Sequence, residues 1–202
     1  MQPKKVMVVF GTRPEATKMC TVVQALKKYP ERFIVKVVVT GQHKEQLYQA
    51  LQNFDVKPDM DLELMKESQS LSYITTSAIS GLDNIVQIDK PDFILVHGDT
   101  MTSFCGGLVG FFHKIPVGHV EAGLRSFNKY SPWPEEINRR LVDVVADILF
   151  APTALSCENL IKEGYKREQI YITGQTAIDA ALTTYKEDYF FKEQILNNID
   201  LK

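Results

Sequence analysis

The sequence predicts an α/β domain built on a doubly wound, mostly parallel sheet. Short runs of β-branched and other apolar residues alternate along the chain with longer segments of helical periodicity. The runs contain few polar residues, which is typical of strands that are buried on both faces of a sheet. Strands joined by helices in this order form right-handed crossovers, and the helices then cover both faces.

Six strands are predicted from the apolar runs, at residues 6–10, 34–40, 93–96, 116–120, 148–150 and 170–172. Residues 58–64 are a candidate for a further short strand. Helices are predicted between the strands, at residues 15–29, 44–54, 71–88, 102–113, 136–145 and 154–163. The last residues carry aromatic side chains among charges, so we expect a domain over residues 1–182 and a linker, or the start of a further domain, over residues 183–202.

The composition excludes several classes of protein. Of the 202 residues, 45% are hydrophobic and 24% are charged, which is close to the average of globular domains and argues against disorder. The net charge of −2 gives no reason to expect a nucleic acid or a membrane as partner. The first apolar run ends at Gly11, which is too short for a signal peptide, and no run approaches the roughly 18 residues of a membrane span.

Cysteine and histidine spacing argues against a disulfide framework and against a metal site. The three cysteines are odd in number and far apart, which fits a reducing cytoplasm. The four histidines show no paired spacing of the kind that zinc sites use.

Ligands of doubly wound sheets bind beyond the carboxyl ends of the strands, so the residues that follow each strand are the first candidates for a site. After the first strand, Arg13 lies in a turn that leads into a helix, and Lys18 follows one turn later. The amide groups of such a turn, together with a guanidinium, suit a phosphate. The alternative is an ordinary turn with a solvated arginine. After the second strand, Gln42 and His43 are further candidates for ligand contacts.

Carboxylates follow two later strands and begin one helix. Asp99 comes after Gly98 at a strand end, where it is either a catalytic base or the cap of the next helix. Glu121 directly follows an apolar strand, and no helical periodicity explains it. Glu135 and Glu136 lie in a first helical turn, where acidic residues often only complement the helix dipole. The convergence of these carboxylates on one sheet edge favours a site.

Six segments together resemble a known family. They are VFGTRPEATKM, VTGQH, KPDFILVHGDTMTSF, IPVGHVEAGLRS, KYSPWPEEINRR and YITGQTAIDA, which follow one another between residues 9 and 180, and the resemblance covers about residues 5–185. In sequence and spacing they resemble the non-hydrolysing UDP-N-acetylglucosamine 2-epimerases. The resemblance implies one half of a glycosyltransferase-B type fold, in which two Rossmann-like domains enclose the active site. The second, UDP-binding domain is missing from these 202 residues.

The resemblance also implies a reaction and a set of roles. UDP-N-acetylglucosamine and UDP-N-acetylmannosamine are interconverted through elimination and re-addition of UDP with transfer of the C2 proton, for envelope polysaccharides. The resemblance implies that no redox cofactor or metal is needed, and it suggests a homodimer. By position in the motifs, Asp99, Glu121 and Glu135 correspond to catalytic carboxylates. Substrate contacts correspond to Arg13, Lys18, Gln42, His43 and Arg139.

Regulation and two alternatives remain open from the sequence. Bacterial members of the family often bind a second UDP-N-acetylglucosamine as an activator, near residues 42–43 and near an arginine whose place is taken here by Ser68. One alternative is a hydrolysing 2-epimerase, which releases free N-acetylmannosamine and UDP. The other is a non-catalytic half-protein that binds a nucleotide sugar.

Overall fold

The structure, a computed structural model, describes residues 2–41, 44–64, 69–185 and 187. Within these residues the chain forms one parallel sheet with helices on both faces. The strands are β1 (Lys4–Phe10), β2 (Phe33–Val39), β3 (Met60–Asp61), β4 (Phe93–His97), β5 (Val117–Val120), β6 (Ile148–Ala151) and β7 (Ile170–Ile172). The helices are α1 (Arg13–Lys27), α2 (Lys44–Asn53), α3 (Leu71–Asp89), α4 (Met101–Phe112), α5 (Glu135–Val145), α6 (Ala154–Lys162) and α7 (Thr176–Thr184).

The order of the strands places a switch point at the centre of the sheet. The order is β3-β2-β1-β4-β5-β6-β7, so the chain moves outward from β1 to β3 and then returns to the other side of β1. Strands β1 and β4 pair in parallel from Val6 opposite Phe93 to Val8 opposite Leu95. Because all strands are parallel, the turns after β1, β4 and β5 lie at one edge, where doubly wound sheets bind ligands.

The hydrophobic core lies on both faces of the sheet, because successive side chains of a strand point to opposite faces. In β1, Met7 and Val9 belong to one core cluster, while Val6, Val8 and Phe10 belong to the other. The first cluster is covered by α3, α4, α5 and α6, and the second by α1, α2 and α7. Burial on both faces explains why the strands are almost entirely apolar.

The predicted elements are present with small shifts of their ends. All six predicted strands and all six predicted helices occur, and the candidate strand at residues 58–64 is β3. Helix α1 begins at Arg13, one residue before Pro14, with Thr12 extended as its cap. Helix α7 was not among the predicted helices. Only Ala180 of α7 is buried, so contact with α1 stabilises this helix more than its own periodicity does.

No helix in the described part of the chain is long and apolar enough to cross a membrane. The expected domain boundary at residue 182 falls within α7, which ends at Thr184.

Candidate active site

The turn between β4 and α4 presents Asp99 at the carboxyl edge of the sheet. Gly98 adopts a φ of +65°, which glycine tolerates without strain and which turns the chain sharply. The cap of α4 is Thr100, whose hydroxyl accepts a hydrogen bond from the Ser103 amide at 3.1 Å. Asp99 therefore does not fill the cap position, so the helix-cap alternative for its carboxylate is wrong.

Asp99 is held against α5. Its carboxylate forms an ion pair with Arg139, and its backbone carbonyl accepts a hydrogen bond from the Asn138 side chain at 3.0 Å. Glu135 lies one turn earlier on α5, at spacings of three and four residues, so it shares a helix face with Asn138 and Arg139. The start of α5 thus faces the turn that carries Asp99.

Glu121 follows β5 in a conformation that is rare for a glutamate. Its φ is +74°, in the left-handed region, where a residue with a side chain carries a strain of about 1–3 kcal/mol. Hydrogen bonds from the amides of Glu121 and Ala122 to the Phe150 carbonyl, both at 3.1 Å, hold this turn to β6. Backbone strain of this kind concentrates at functional sites, where it fixes the direction of a side chain.

Three side chains from different elements surround the Glu121 carboxylate. Lys18 Nζ of α1 lies 2.7 Å from Oε1, and Gln175 Nε2, just before α7, donates to the same oxygen at 2.6 Å. His97 Nε2 lies 3.3 Å from Oε2. Burial acts to raise the pKa of this carboxyl, but His97, Lys18 and Gln175 together lower it below its ordinary value. Glu121 is therefore ionised at neutral pH and can accept a proton.

His97, the last residue of β4, is buried and uncharged. Burial lowers the pKa of its imidazole to about 3, and nearby Lys18 and His119 lower it further, against the opposing effect of Glu121. Neither ring nitrogen has a hydrogen-bond partner among the described residues.

Glu15 links the turn after β1 to the turn after β4. One carboxylate oxygen accepts hydrogen bonds from the amides of Gly11 and Thr12, at 3.0 and 2.8 Å. The other accepts from the hydroxyls of Thr100 and Ser103, at 2.7 and 2.9 Å. Burial raises the pKa of Glu15, while these hydrogen bonds act to lower it. Two amides that the sequence offered for a phosphate are therefore bound to a carboxylate of the chain itself.

A second, largely buried network of polar side chains is hydrogen-bonded to the Gly98 turn. His119 Nε2 donates to the Gly98 carbonyl at 2.7 Å, and His119 Nδ1 lies 2.6 Å from Asp143. The other oxygen of Asp143 accepts from Arg125 at 2.7 Å, and Arg125 pairs with Glu163 at 2.6 Å. Because the groups of this buried network are paired with one another, they hold the Gly98 turn rigidly. The backbone position of Asp99, the next residue, is held with it.

Glu136 orders the loop that precedes α5. It is fully buried, and its carboxylate accepts hydrogen bonds from the amides of Ser126 and Phe127 at 3.0 and 3.2 Å. It also pairs with Arg139 at 3.3 Å. Glu136 therefore orients the arginine that holds Asp99, which is more than complementing the helix dipole.

The structure brings some of the predicted site residues together and not others. Lys18 meets Glu121, and Arg139 meets Asp99. Arg13 is exposed and lines a groove of about 300 Å³ between α1, α2 and α7. Gln42 and His43 lie outside the described residues, as does Ser68.

Sequence reasoning missed several residues of this edge. His97 and His119 each lie two residues before a predicted carboxylate, inside an apolar strand, and this polar interruption was the available signal. Gln175 follows β7 and Glu15 follows the first turn, and no local pattern marked their contacts. Among the described residues, no group of three histidine, cysteine, aspartate or glutamate side chains is arranged to hold a metal ion.

Comparisons with known proteins agree on one family. The family model described as UDP-N-acetylglucosamine 2-epimerase matches residues 24–201. The UDP-N-acetylglucosamine 2-epimerase of Bacillus subtilis (strain 168) is 54% identical over 189 residues, which are 94% of this chain and 50% of that protein. The Neisseria meningitidis protein of the same name is 50% identical over 183 residues, 91% of this chain and 49% of that protein. The chain therefore spans about half the length of the curated relatives it matches.

Solved structures give the same result. A crystal structure described as a putative UDP-N-acetylglucosamine 2-epimerase from Listeria monocytogenes superposes with a TM-score of 0.93 at 52% identity, covering 98% of this chain and 52% of that one. The Neisseria meningitidis UDP-GlcNAc 2-epimerase, solved with UDP-GlcNAc bound, gives 0.86 at 51% identity, covering 88% and 48%. The galactosyltransferase WaaB gives 0.61 at 8% identity, with 84% and 44% covered, which shows a shared fold alone.

Proposed function

Because this chain belongs to the UDP-N-acetylglucosamine 2-epimerase family, we propose that it supplies the acid–base carboxylates of such an enzyme. The complete protein would interconvert UDP-N-acetylglucosamine and UDP-N-acetylmannosamine. The observation that carries this proposal is the ionised Glu121, held in a strained turn at the edge where Asp99 also lies. In the cell, UDP-N-acetylmannosamine would then supply envelope polysaccharides.

The reaction inverts one carbon centre, C2, by proton transfer coupled to elimination and re-addition of UDP. A base takes the C2 proton, the C–H electron pair forms a C1–C2 double bond, and the C1–O bond to UDP breaks. UDP then adds back at C1 while an acid returns a proton to the other face of C2. Each step is redox-neutral, so the chemistry needs no redox cofactor, but it needs two proton-transfer groups.

Glu121 suits the first proton transfer, since it is ionised and its direction is fixed by three partners. Asp99 and Glu135 are the candidates for the second, because the start of α5 faces the Asp99 turn. Lys18 and Arg13 would meet the diphosphate, whose negative charge grows as the C1–O bond breaks. Arg139 contributes by holding Asp99, and Gln42 and His43 remain proposed substrate contacts.

Isotope exchange tests the reaction. The complete protein, incubated with UDP-N-acetylglucosamine in heavy water, should yield both UDP-sugars with deuterium at C2. Free N-acetylmannosamine as the main product would instead support the alternative, a hydrolysing 2-epimerase. Such an enzyme also acts on UDP-N-acetylglucosamine, but it uses water and releases the sugar and UDP separately.

The isolated chain tests the half-protein alternative. We expect the 202-residue chain to bind a UDP-sugar weakly and to show no turnover, since the relatives that it matches are about twice as long and we propose that the rest of the cleft lies in a second half of this kind. A cavity of about 500 Å³, lined in part by Val6, Leu95 and Phe150, leaves room for further packing partners of the sheet. Turnover by the isolated chain would contradict this view.

A homodimer is part of the same proposal. Ile137, Leu141 and Val144 form an apolar stripe on the outer face of α5, with exposed fractions of 37%, 40% and 70%. A second copy of the chain would remove this stripe from water. Sedimentation should show a dimer that Leu141→Glu weakens. The cytoplasm remains the proposed location, since Cys20, Cys105 and Cys157 are free and buried.

A further inference from the structure

His97 is a buried imidazole without hydrogen bonds. Its side chain is 3% exposed, and neither Nδ1 nor Nε2 has a partner among the described residues. A buried polar group that lacks a hydrogen bond is costly and is usually replaced by an apolar residue. Its neighbours in β4, from Ile94 to Val96, are apolar. A polar side chain at this position therefore indicates a functional role rather than a role in packing.

The imidazole faces one particular oxygen of Glu121. Nε2 lies 3.3 Å from Oε2, while Lys18 and Gln175 both donate to Oε1. A Cβ atom at residue 98 would lie 3.2 Å from Oε2, so Gly98 leaves open the space beside this oxygen. Two donors occupy Oε1, and a carboxylate oxygen accepts about two hydrogen bonds. Oε2 therefore keeps a lone pair for a proton that arrives from a substrate.

Burial, with a smaller effect of two neighbours, keeps His97 neutral. Glu121 faces it from the turn after β5, Lys18 from α1 and His119 from β5. Burial and the two cationic or titratable neighbours oppose protonation more strongly than Glu121 favours it. Nε2 is close to Oε2 without forming a hydrogen bond, and an uncharged Nε2–H group in this place can interact with that oxygen whether Glu121 is ionised or protonated. A cationic partner in its place would favour only the ionised carboxylate.

We propose that His97 is a positioning residue that acts through Glu121, by directing Oε2 as the oxygen that accepts the C2 proton. This proposal rests on the proposed function of the site. In the step it supports, the substrate C2–H bond breaks and an O–H bond forms at Oε2. The electron pair enters the C1–C2 double bond, and UDP leaves with the C1–O pair. His97 keeps its own proton throughout.

Kinetics of two variants of the complete protein test this role. His97→Leu removes the imidazole beside Oε2 and should lower kcat about 10- to 100-fold, the usual effect of removing an orienting partner, with KM changed less than about 2-fold. The acid limb of the kcat pH profile should move to higher pH, because the Glu121 carboxylate loses the electrostatic effect of His97 that helps to lower its pKa. His97→Gln, whose amide Nε2–H can reach the same place, should restore most of kcat. Equal losses in both variants with an unmoved pH profile would overturn the proposal.

Nitrogen NMR of the same protein, labelled in its histidines, tests the contact without any turnover. Glu121→Gln should shift the Nε2 resonance of His97 and leave that of His113 in place. Asp83→Asn is the matched control, since Asp83 lies 2.6 Å from His113 Nε2 and should shift only that histidine. An unmoved His97 resonance in Glu121→Gln overturns the inference. If the complete protein lacks epimerase activity while the His97 resonance moves, the proposed function fails and the contact stands.

Discussion

Lys18 and Glu121 are 103 residues apart in the sequence, yet Lys18 Nζ lies 2.7 Å from Glu121 Oε1. They meet because α1 starts and β5 ends at the same edge of the sheet, on either side of the switch point between β1 and β4. The Lys18 side chain is mostly buried, so the ion pair is screened less by water than an exposed pair. The pair therefore helps to set the charge state of Glu121.

Replacing Lys18 by methionine should raise the pKa of Glu121, because the carboxylate loses a cation and a hydrogen bond while its burial remains. In the complete protein, we expect kcat to fall by about 10²-fold or more and the acid limb of its pH profile to move to higher pH. Steady-state kinetics between pH 5 and 9 provide the measurement. Lys36→Met is the control, since Lys36 pairs with Asp59 in a solvated position, and it should change kcat less than about 2-fold. An unchanged profile for Lys18→Met would show that this lysine does not control Glu121.

Asp99→Asn should abolish C2 exchange and leave the fold intact. Thr100 caps α4, the Asp99 backbone carbonyl keeps its hydrogen bond to Asn138, and an asparagine oxygen can still accept a hydrogen bond from Arg139, so the variant keeps the local contacts. Deuterium incorporation measures the exchange, and chemical denaturation measures the free energy of unfolding, which should change by less than about 1 kcal/mol. Thr100→Ala is the comparison variant. It removes the cap of α4 and should lower the free energy of unfolding by about 1 kcal/mol. A clear loss of stability in Asp99→Asn with exchange retained would favour a structural role.

The free energy of unfolding should fall in acid because of His97. In the unfolded chain this imidazole takes up a proton below its ordinary pKa of about 6.5, whereas in the folded chain its pKa is lowered to about 3. The folded state thus keeps its full stability above pH 6.5 and loses it as the pH falls toward 3, by at most about 1.4 kcal/mol per pH unit.

His97→Gln isolates this contribution, because the variant cannot titrate at this position. Urea denaturation of the wild type and the variant between pH 4 and 7 gives the free energy of unfolding of each. The wild-type value minus the variant value should decrease as the pH falls, because only the wild type loses stability through His97. Other titrating groups are present in both proteins and largely cancel. The exception is Glu121, whose pKa His97 helps to lower, and its contribution to the difference also becomes smaller as the pH falls. Parallel pH dependences would mean that His97 titrates normally in the fold.

Two glycines with the same φ allow the cost of backbone strain to be distinguished from the cost of a steric clash. Gly123 and Gly174 both have a φ of +82°, but a Cβ at Gly123 would lie 2.3 Å from the Ser156 carbonyl oxygen, while one at Gly174 would meet nothing within 4 Å. Gly174→Ala should cost about 1–2 kcal/mol of unfolding free energy, for the left-handed backbone. Gly123→Ala should lower the free energy of unfolding by at least about 2 kcal/mol more, because the backbone at Ser156 would have to move to make room for the methyl group. Equal losses in thermal or chemical denaturation would contradict this packing of α6 against the Glu121 turn.

The elements of this fold could be predicted because they depend on local patterns. Apolar runs of a few residues fit buried strands, and recurring apolar positions fit helices, so β1 and α3 were found within a few residues of their ends. Helix α7 could not be predicted in the same way, since it buries only Ala180 and is stabilised by packing on α1.

The sequence by itself determined which polar residues follow strands, and so placed Asp99 and Glu121 at the edge of the sheet where their partners also lie. Only the tertiary structure decided what each of them touches. That Thr100 rather than Asp99 caps α4, that Glu15 takes the amides of the first turn, and that His97 faces Glu121 depend on distances between segments far apart in the chain. Such contacts are set by the order of the strands and by the packing of the whole core, which no local pattern encodes.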